Sequence, residues 1–356
     1  MKKPAPLSLK PDLDDAARRW DAFYHGEIID RPLVWITAPK PGAAPHKPLN
    51  YRRRAMDDID KVIDDVLSNC EGVYWGGESV PAFFPSIGTD EVAVFCGAEL
   101  EWNDASGDTN WSQHYVTDWE KALPFRVHTD NPYYQRVLAL VRRAAQRLDG
   151  KMLISGLDWH TNMDMLMSVR GSENLCMDLV DQPEMIDKAM VSARAVFRQV
   201  WDAVAKEAQM ATRGYCHQIY SMEGAATLQC DFSCMISPDM FDRWVRPALE
   251  EEASIVNHVI YHWDGPGAQK HLDALAGTKG IHTFYYEPGD GHGGFRDYID
   301  LFQRVQKAGR SVAVRGLADD VKFMHKHLKP EKTLYYSAAD TPQEADALLE
   351  WFVKNT

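Results

Sequence analysis

His262 and Asp264, in the sequence Tyr261, His262, Trp263, Asp264, are the sharpest chemical element of this chain. The apolar run before them, residues 256–261, predicts a strand. Residues two apart on a strand project to the same face. An imidazole and a carboxylate are therefore presented together. Such a pair binds a divalent metal or works as an acid–base couple. Otherwise it is structural, with Asp264 orienting His262 or capping the turn at Gly265. Two ligands are too few for a catalytic zinc, which takes three and keeps an open position. In the metal reading the third comes from Asp340, Glu287, Asp231 or Cys230, because Ser337 is a poor ligand at neutral pH.

Other strand ends carry similar chemistry. Asp158 and His160 form a second imidazole–carboxylate pair, with Trp159 between them and Asn162 and Asp164 just beyond. The bland alternative is that Asp158 caps a helix and His160 lies on the surface. Next come His217, Gln218, Tyr220 and Glu223, then Gln229, Cys230 and Asp231. Asp231 either binds substrate or satisfies loop amides. Tyr286, Glu287, Asp290 and His292 end a further run. Arg315 ends another, where it anchors a substrate carboxylate or pairs with a neighbouring acid. Trp75, Trp102, Trp111, Trp159 and Trp263 are available to wall a pocket for a flat ring or a methylammonium group, although most tryptophans simply pack. The glycines of residues 289–294 precede no Lys-Ser/Thr, so a phosphate cradle is a weak reading.

The elements that position these residues follow a rhythm. From residue 151 onward six strand-then-helix units are predicted. Their strands fall at 151–157, 216–221, 256–261, 280–286, 311–315 and 332–337. A long helix is expected over 183–210, and helix starts at Ser237-Pro238 and Thr341-Pro342 have the preferred caps. Alternation of this kind implies a parallel sheet with helical crossovers. The first half offers a helix at 12–24, a strand at 32–38 and a strand near 73–75. Eight units in 356 residues give an α/β (β/α)8 TIM barrel as a single domain, with catalytic groups at the strand C-terminal ends. An open doubly wound sheet is the alternative. It is disfavoured by the absence of Gly-x-Gly-x-x-Gly after a strand and of a P-loop. Residues 76–130 break the rhythm and predict an irregular insertion or lid.

Composition narrows the function classes. Hydrophobic residues make up 45% and charged residues 26%, enough apolar content for one large core. The net charge of −13 disfavours nucleic acid and anionic membrane as partners, despite the local run Arg52, Arg53, Arg54. No run of apolar residues approaches a membrane span, and the N-terminus lacks a signal-peptide pattern. The six cysteines include no Cys-x-x-Cys pair, so reduced thiols in a cytoplasmic protein are expected.

From about residue 150 the chain resembles the uroporphyrinogen decarboxylase superfamily. The resemblance is carried by Arg170 to Asn174, Asp178 to Glu184, Ile236 to Phe241, and His262, Asp264 and Gly265. Arg19-Trp20 and Asp30-Arg31-Pro32 resemble the branch related to corrinoid-dependent methyltransferases. The resemblance implies a TIM barrel with its pocket at the strand C-terminal ends. Its methyltransferases hold zinc with a His-x-Cys motif and a later Cys. Here His262 matches, Asp264 stands in the Cys position, and Tyr336, Ser337, Ala338 and Ala339 contain no Cys. The Arg-rich N-terminal loop of the true decarboxylases is not evident in residues 1–40.

The expectation is a methyltransferase. It takes a methyl group from a small ether, amine or thioether and passes it to a corrinoid borne by a partner protein. His262 and Asp264 hold zinc, with His262, Asp264, Asp231 and His160 as the catalytic set. Asp158, Trp159, Tyr220, Gln229, Trp263, Glu287 and Arg315 bind substrate. The alternative is a metal-free decarboxylase or lyase with Arg315 as carboxylate anchor and His160 or His262 as proton donor. A third reading is a non-catalytic small-molecule binder.

Overall fold

Six mutually parallel strands form the centre of the molecule: Leu33–Pro39, Ala225–Gln229, His258–Asp264, Ile281–Glu287, Ser311–Arg315 and Thr333–Ala338. The first in sequence pairs with the last, and the remainder follow in reverse order as far as Ala225–Gln229. A seventh strand, Val73–Gly77, adds antiparallel to the free side of Leu33–Pro39. The computed structural model describes residues 2–103 and 109–356. Helices cover the sheet, so strand residues are buried on both faces and read as apolar runs. Val34, Ile36, Val259, Ile260, Val312, Val314 and Leu334 are all inaccessible to solvent. No helix among the described residues is long and apolar enough to cross a membrane.

The expected eight-stranded closure is not seen as a continuous ladder. The ladder has seven strands and ends at Val73–Gly77 on one side and Ala225–Gln229 on the other. Between those edges lie two small pieces. Ala82–Phe83 pairs in parallel with Leu153–Ile154, and Tyr215–His217 folds back antiparallel on Ile219–Ser221. Backbone hydrogen bonds extend two of these pairings by one residue: Glu78 N to Val34 O at 2.8 Å and Ser155 N to Phe83 O at 2.7 Å.

Local backbone geometry explains why the strand near residue 75 is not a parallel barrel strand. Gly77 has φ +55°, and a Cβ there would lie 2.2 Å from Val34 O. Only glycine tolerates that approach. The chain then turns and buries Glu78 completely. Glu78 accepts both guanidinium nitrogens of Arg31, at 2.6 and 2.8 Å, and the amide of Val34 at 2.9 Å. The strand predicted at 216–221 is likewise a hairpin, because Gln218 between its arms is left-handed with φ +63°. The parallel strand on this part of the chain is the later run Ala225–Gln229.

Helix boundaries follow the caps. Ser237 accepts from Met240 N and Thr341 from Glu344 N, each with Pro at the first helical position. The long helix is Pro183–Glu207, and two further helices, Asn162–Arg170 and Ser172–Asp181, precede it. Of the expected insertion at 76–130, residues 104–108 lie outside the described residues. The described remainder holds the helix Glu91–Phe95 and the hairpin Leu100–Trp102/Asn110–Ser112. It is fastened to the Asn162–Arg170 helix through Asp90. That carboxylate accepts Ser168 Oγ at 2.6 Å and Ser112 N at 2.9 Å.

Candidate active site

Asp158, His160 and Asp164 follow the short strand Leu153–Ile154 and run into the first turn of the Asn162–Arg170 helix. The turn is tightly held. Asn162 is left-handed at φ +47°, a conformation asparagine adopts more readily than most residues. Its Nδ2 donates to Gln229 O at 3.1 Å and to the Glu252 carboxylate at 3.3 Å. Thr161 Oγ1 donates to the same carboxylate at 2.7 Å. Burial pushes Glu252 up to about 8, the two donors acting against it. Asp164, fully buried, accepts the amides of Asp231 at 3.0 Å and Phe232 at 2.8 Å.

The result is one imidazole among three carboxylates. His160 Nε2 lies 3.6 Å from Asp158 Oδ1 and 4.0 Å from Asp231 Oδ2, and Nδ1 lies 3.9 Å from Asp164 Oδ2. Burial works against the imidazolium. Asp158, Asp164, Asp231 and Asp90 oppose it, and the pKa ends above the ordinary histidine value. Asp231 is pushed up to about 6 by burial first and by Asp164 second, with His160 and His262 pulling the other way. Asp231 Oδ1 is buried and has no hydrogen-bond partner among the described residues. Asp158 is oriented by Gln229 Nε2 at 3.1 Å and Tyr51 Oη at 3.0 Å.

Asp158, His160 and Asp231 line a cleft of about 290 Å³ with Phe84, His217, Thr227, Gln229 and His262. Strand register explains His262. It pairs with Gln229 on one side and Tyr285 on the other, so the three occupy one row across the sheet. A second cleft of about 360 Å³ adjoins the first and shares Phe84, His217 and Gln218 with it. Trp35, Trp75, Phe84 and Tyr336 give it an aromatic wall. Burial lowers His217 to about 4, and His262 adds to the effect while Asp158 opposes it. At neutral pH His217 is therefore an uncharged ring, stacked on Phe84 at 5.6 Å.

The residues expected from the sequence divide accordingly. His160, Asp158, Asp231, Gln229, His262 and Trp159 line the polar cleft. Trp159 is almost wholly buried and packs mainly outward on Phe197 and Trp201. Asp264 is half-buried, 4.0 Å from His262 Nε2, and does not line this cleft. Trp263 is a core residue against Phe284 and Tyr286, its Nε1 bonded to Ala268 O. Tyr220 lines a separate small pocket with Trp20, Tyr24 and His258. The hairpin at Gln218 is what diverts it from the site. Glu287 and Arg315 pair with each other at 3.1 Å on the wall of a third cleft, of about 500 Å³. Tyr51, Phe84, Trp35 and Tyr336 were not anticipated. Nothing local marks them, for each reaches the site from a distant part of the chain.

The zinc site implied by the family resemblance does not fit these residues. Among the described residues no group of three His, Cys, Asp or Glu side chains is arranged to hold a metal ion. Burial drives the thiol pKa of Cys230 well up, which disfavours the thiolate that binds metal.

No protein-family model matches the chain. No curated protein matches it either. A solved structure of a methyltransferase from Methanosarcina mazei is similar in fold, with a TM-score of 0.62 and 13% sequence identity. The match covers 98% of this chain and 99% of that one.

Proposed function

We propose that this protein is a methyltransferase acting on a small methylated ether, amine or thioether, built on a (β/α)8 barrel whose ladder is interrupted on one side. The observation that carries this reading is the His160 imidazole set among Asp158, Asp164 and Asp231 in the cleft. The fold likeness to a methyltransferase supports it. In such a transfer the bond from the methyl carbon to the heteroatom breaks, and its electron pair stays on the heteroatom. The acceptor, a corrinoid on a partner protein, supplies the pair that forms the new bond to carbon.

The task of the chain is to make the heteroatom positive before the methyl group departs, so that it leaves as a neutral group. Protonated His160 donates a proton to an oxygen, sulfur or nitrogen held in the cleft, and Asp158 and Asp231 stabilise the positive charge. Gln229 and Tyr51 fix Asp158, and Asp164 fixes the peptide that carries Asp231. No step passes through a metal. The decarboxylase alternative loses its anchor, since Arg315 is paired with Glu287 outside the His160 cleft.

The test is methyl transfer from a panel of methylated ethers, amines and thioethers to a reduced corrinoid protein. His160→Gln should lower kcat about 10²–10⁴-fold, the usual worth of a general acid. Turnover that is unchanged in this variant, or decarboxylation in place of methyl transfer, would overturn the proposal.

A further inference from the structure

We infer that the substrate is a methylated amine, not an ether or thioether, whose nitrogen takes the His160 proton in the cleft and is held there as the methylammonium ion. This inference rests on the methyl-transfer reading and narrows it. Two independent features meet in the joined clefts. One is Asp231 Oδ1, a buried carboxylate oxygen that receives no hydrogen bond. An anion short of donors is costly, and the Asp231 carboxylate, which lines the cleft and is one third exposed there, favours a ligand that brings one. An ammonium N–H is such a donor. Ether oxygen and thioether sulfur offer only lone pairs and would leave Asp231 unsatisfied.

The second feature is the aromatic wall of Trp35, Trp75, Phe84 and Tyr336 in the adjoining cleft. Ring faces attract the positive methyl groups of an ammonium ion, most strongly where water is excluded. Charge balance agrees. Three carboxylates surround one imidazole, so the polar cleft remains anionic with His160 protonated. No lysine or arginine lines either cleft among the described residues. The Arg54 guanidinium is buried beside the Tyr51 and Phe84 rings and bonded to Ser86 O. A methylammonium would place its N–H on Asp231 and its methyl groups toward the rings.

Equilibrium binding measured without any methyl acceptor tests this separately from turnover. The probes are trimethylammonium, which has one N–H, tetramethylammonium, which has none, and neutral dimethyl sulfide. Trimethylammonium should bind tightest and dimethyl sulfide weakest. Asp231→Asn should weaken trimethylammonium about tenfold or more, the worth of a charged hydrogen bond, and bring it level with tetramethylammonium. Trp75→Leu, in a different element, should weaken both cations and leave dimethyl sulfide little changed. Thermal melts of each variant establish that it is folded. Dimethyl sulfide binding as tightly as the cations, or cation affinity unaltered in both folded variants, would overturn the inference. Methyl transfer from neutral donors would then still stand on its own assay.

Discussion

The Asp164 carboxylate holds the backbone of Asp231 in place, accepting its amide at 3.0 Å and that of Phe232 at 2.8 Å. One acid of the cluster thus positions another. Asp164→Ala would leave two buried amides without an acceptor, at about 1–3 kcal/mol each. The variant should lose several kcal/mol in denaturant unfolding and lose activity with it. Asp164→Asn keeps an acceptor for only one of the two amides and should recover only part of the stability. Equal unfolding midpoints for Asp164→Ala and the parent would contradict this arrangement.

Asp231 sets the pH range of His160. In the proposed reaction the imidazolium is the active form, so activity is lost as pH rises through the elevated His160 pKa. It is also lost as pH falls through about 6, where Asp231 takes up a proton. The two groups titrate as a pair, and a bell-shaped profile is expected. Asp231→Asn removes the acid limb. It also removes an anion from beside the imidazole, so the alkaline limb should move to lower pH. An alkaline limb that stays in place would show that Asp231 does not act on His160.

Glu252 makes a prediction about stability. Its carboxyl is raised to about 8 in the folded chain from an ordinary 4.5. Between those values the folded state binds more protons than the unfolded state, so stability falls as pH rises from about 4.5 to about 8. One such group contributes a slope of at most about 1.4 kcal/mol per pH unit. Glu252→Gln retains an acceptor for Thr161 and should flatten the slope, as read from unfolding midpoints across that range. A slope identical to the parent's would exclude this group as its source.

Arg315 separates methyl transfer from decarboxylation. It is largely exposed and paired with Glu287. Arg315→Ala should cost no more than about 1 kcal/mol of stability. In the methyl-transfer reading it should change kcat/KM only a few-fold. A collapse in activity, with KM rising for a carboxylate substrate, would restore the anchor role.

Much of the strand order and part of the site were legible in the residues themselves. The Ser311–Arg315 strand has the bounds its apolar run predicts, and the pair Asp158 and His160 stands in the cleft. Tyr220 stands outside the cleft because the chain folds back at Gln218, and Trp263 for a different physical reason. Both faces of a covered parallel strand are apolar, so alternation alone does not say which side faces the pocket. The hairpin at Gln218 turns on a single left-handed residue of a type that seldom adopts that conformation. Tyr51 bonds to Asp158 across 107 positions of sequence. No local spacing encodes such a contact. The seat of His262 is set by pairing with Gln229 and Tyr285, again a matter of tertiary register.

The interrupted ladder also governs how the molecule breathes. His262 stands on a strand laced to neighbours on both sides, whereas residues 155–162 are joined to Ala225–Gln229 through the side chains of Gln229 and Asn162. Opening that seam ruptures only a few side-chain bonds, while lifting His258–Asp264 disrupts two ladders. Backbone amides of 155–161 should therefore take up deuterium well before those of His258–Asp264, and an occupant bridging His160 and His262 should slow that uptake by closing the seam from within.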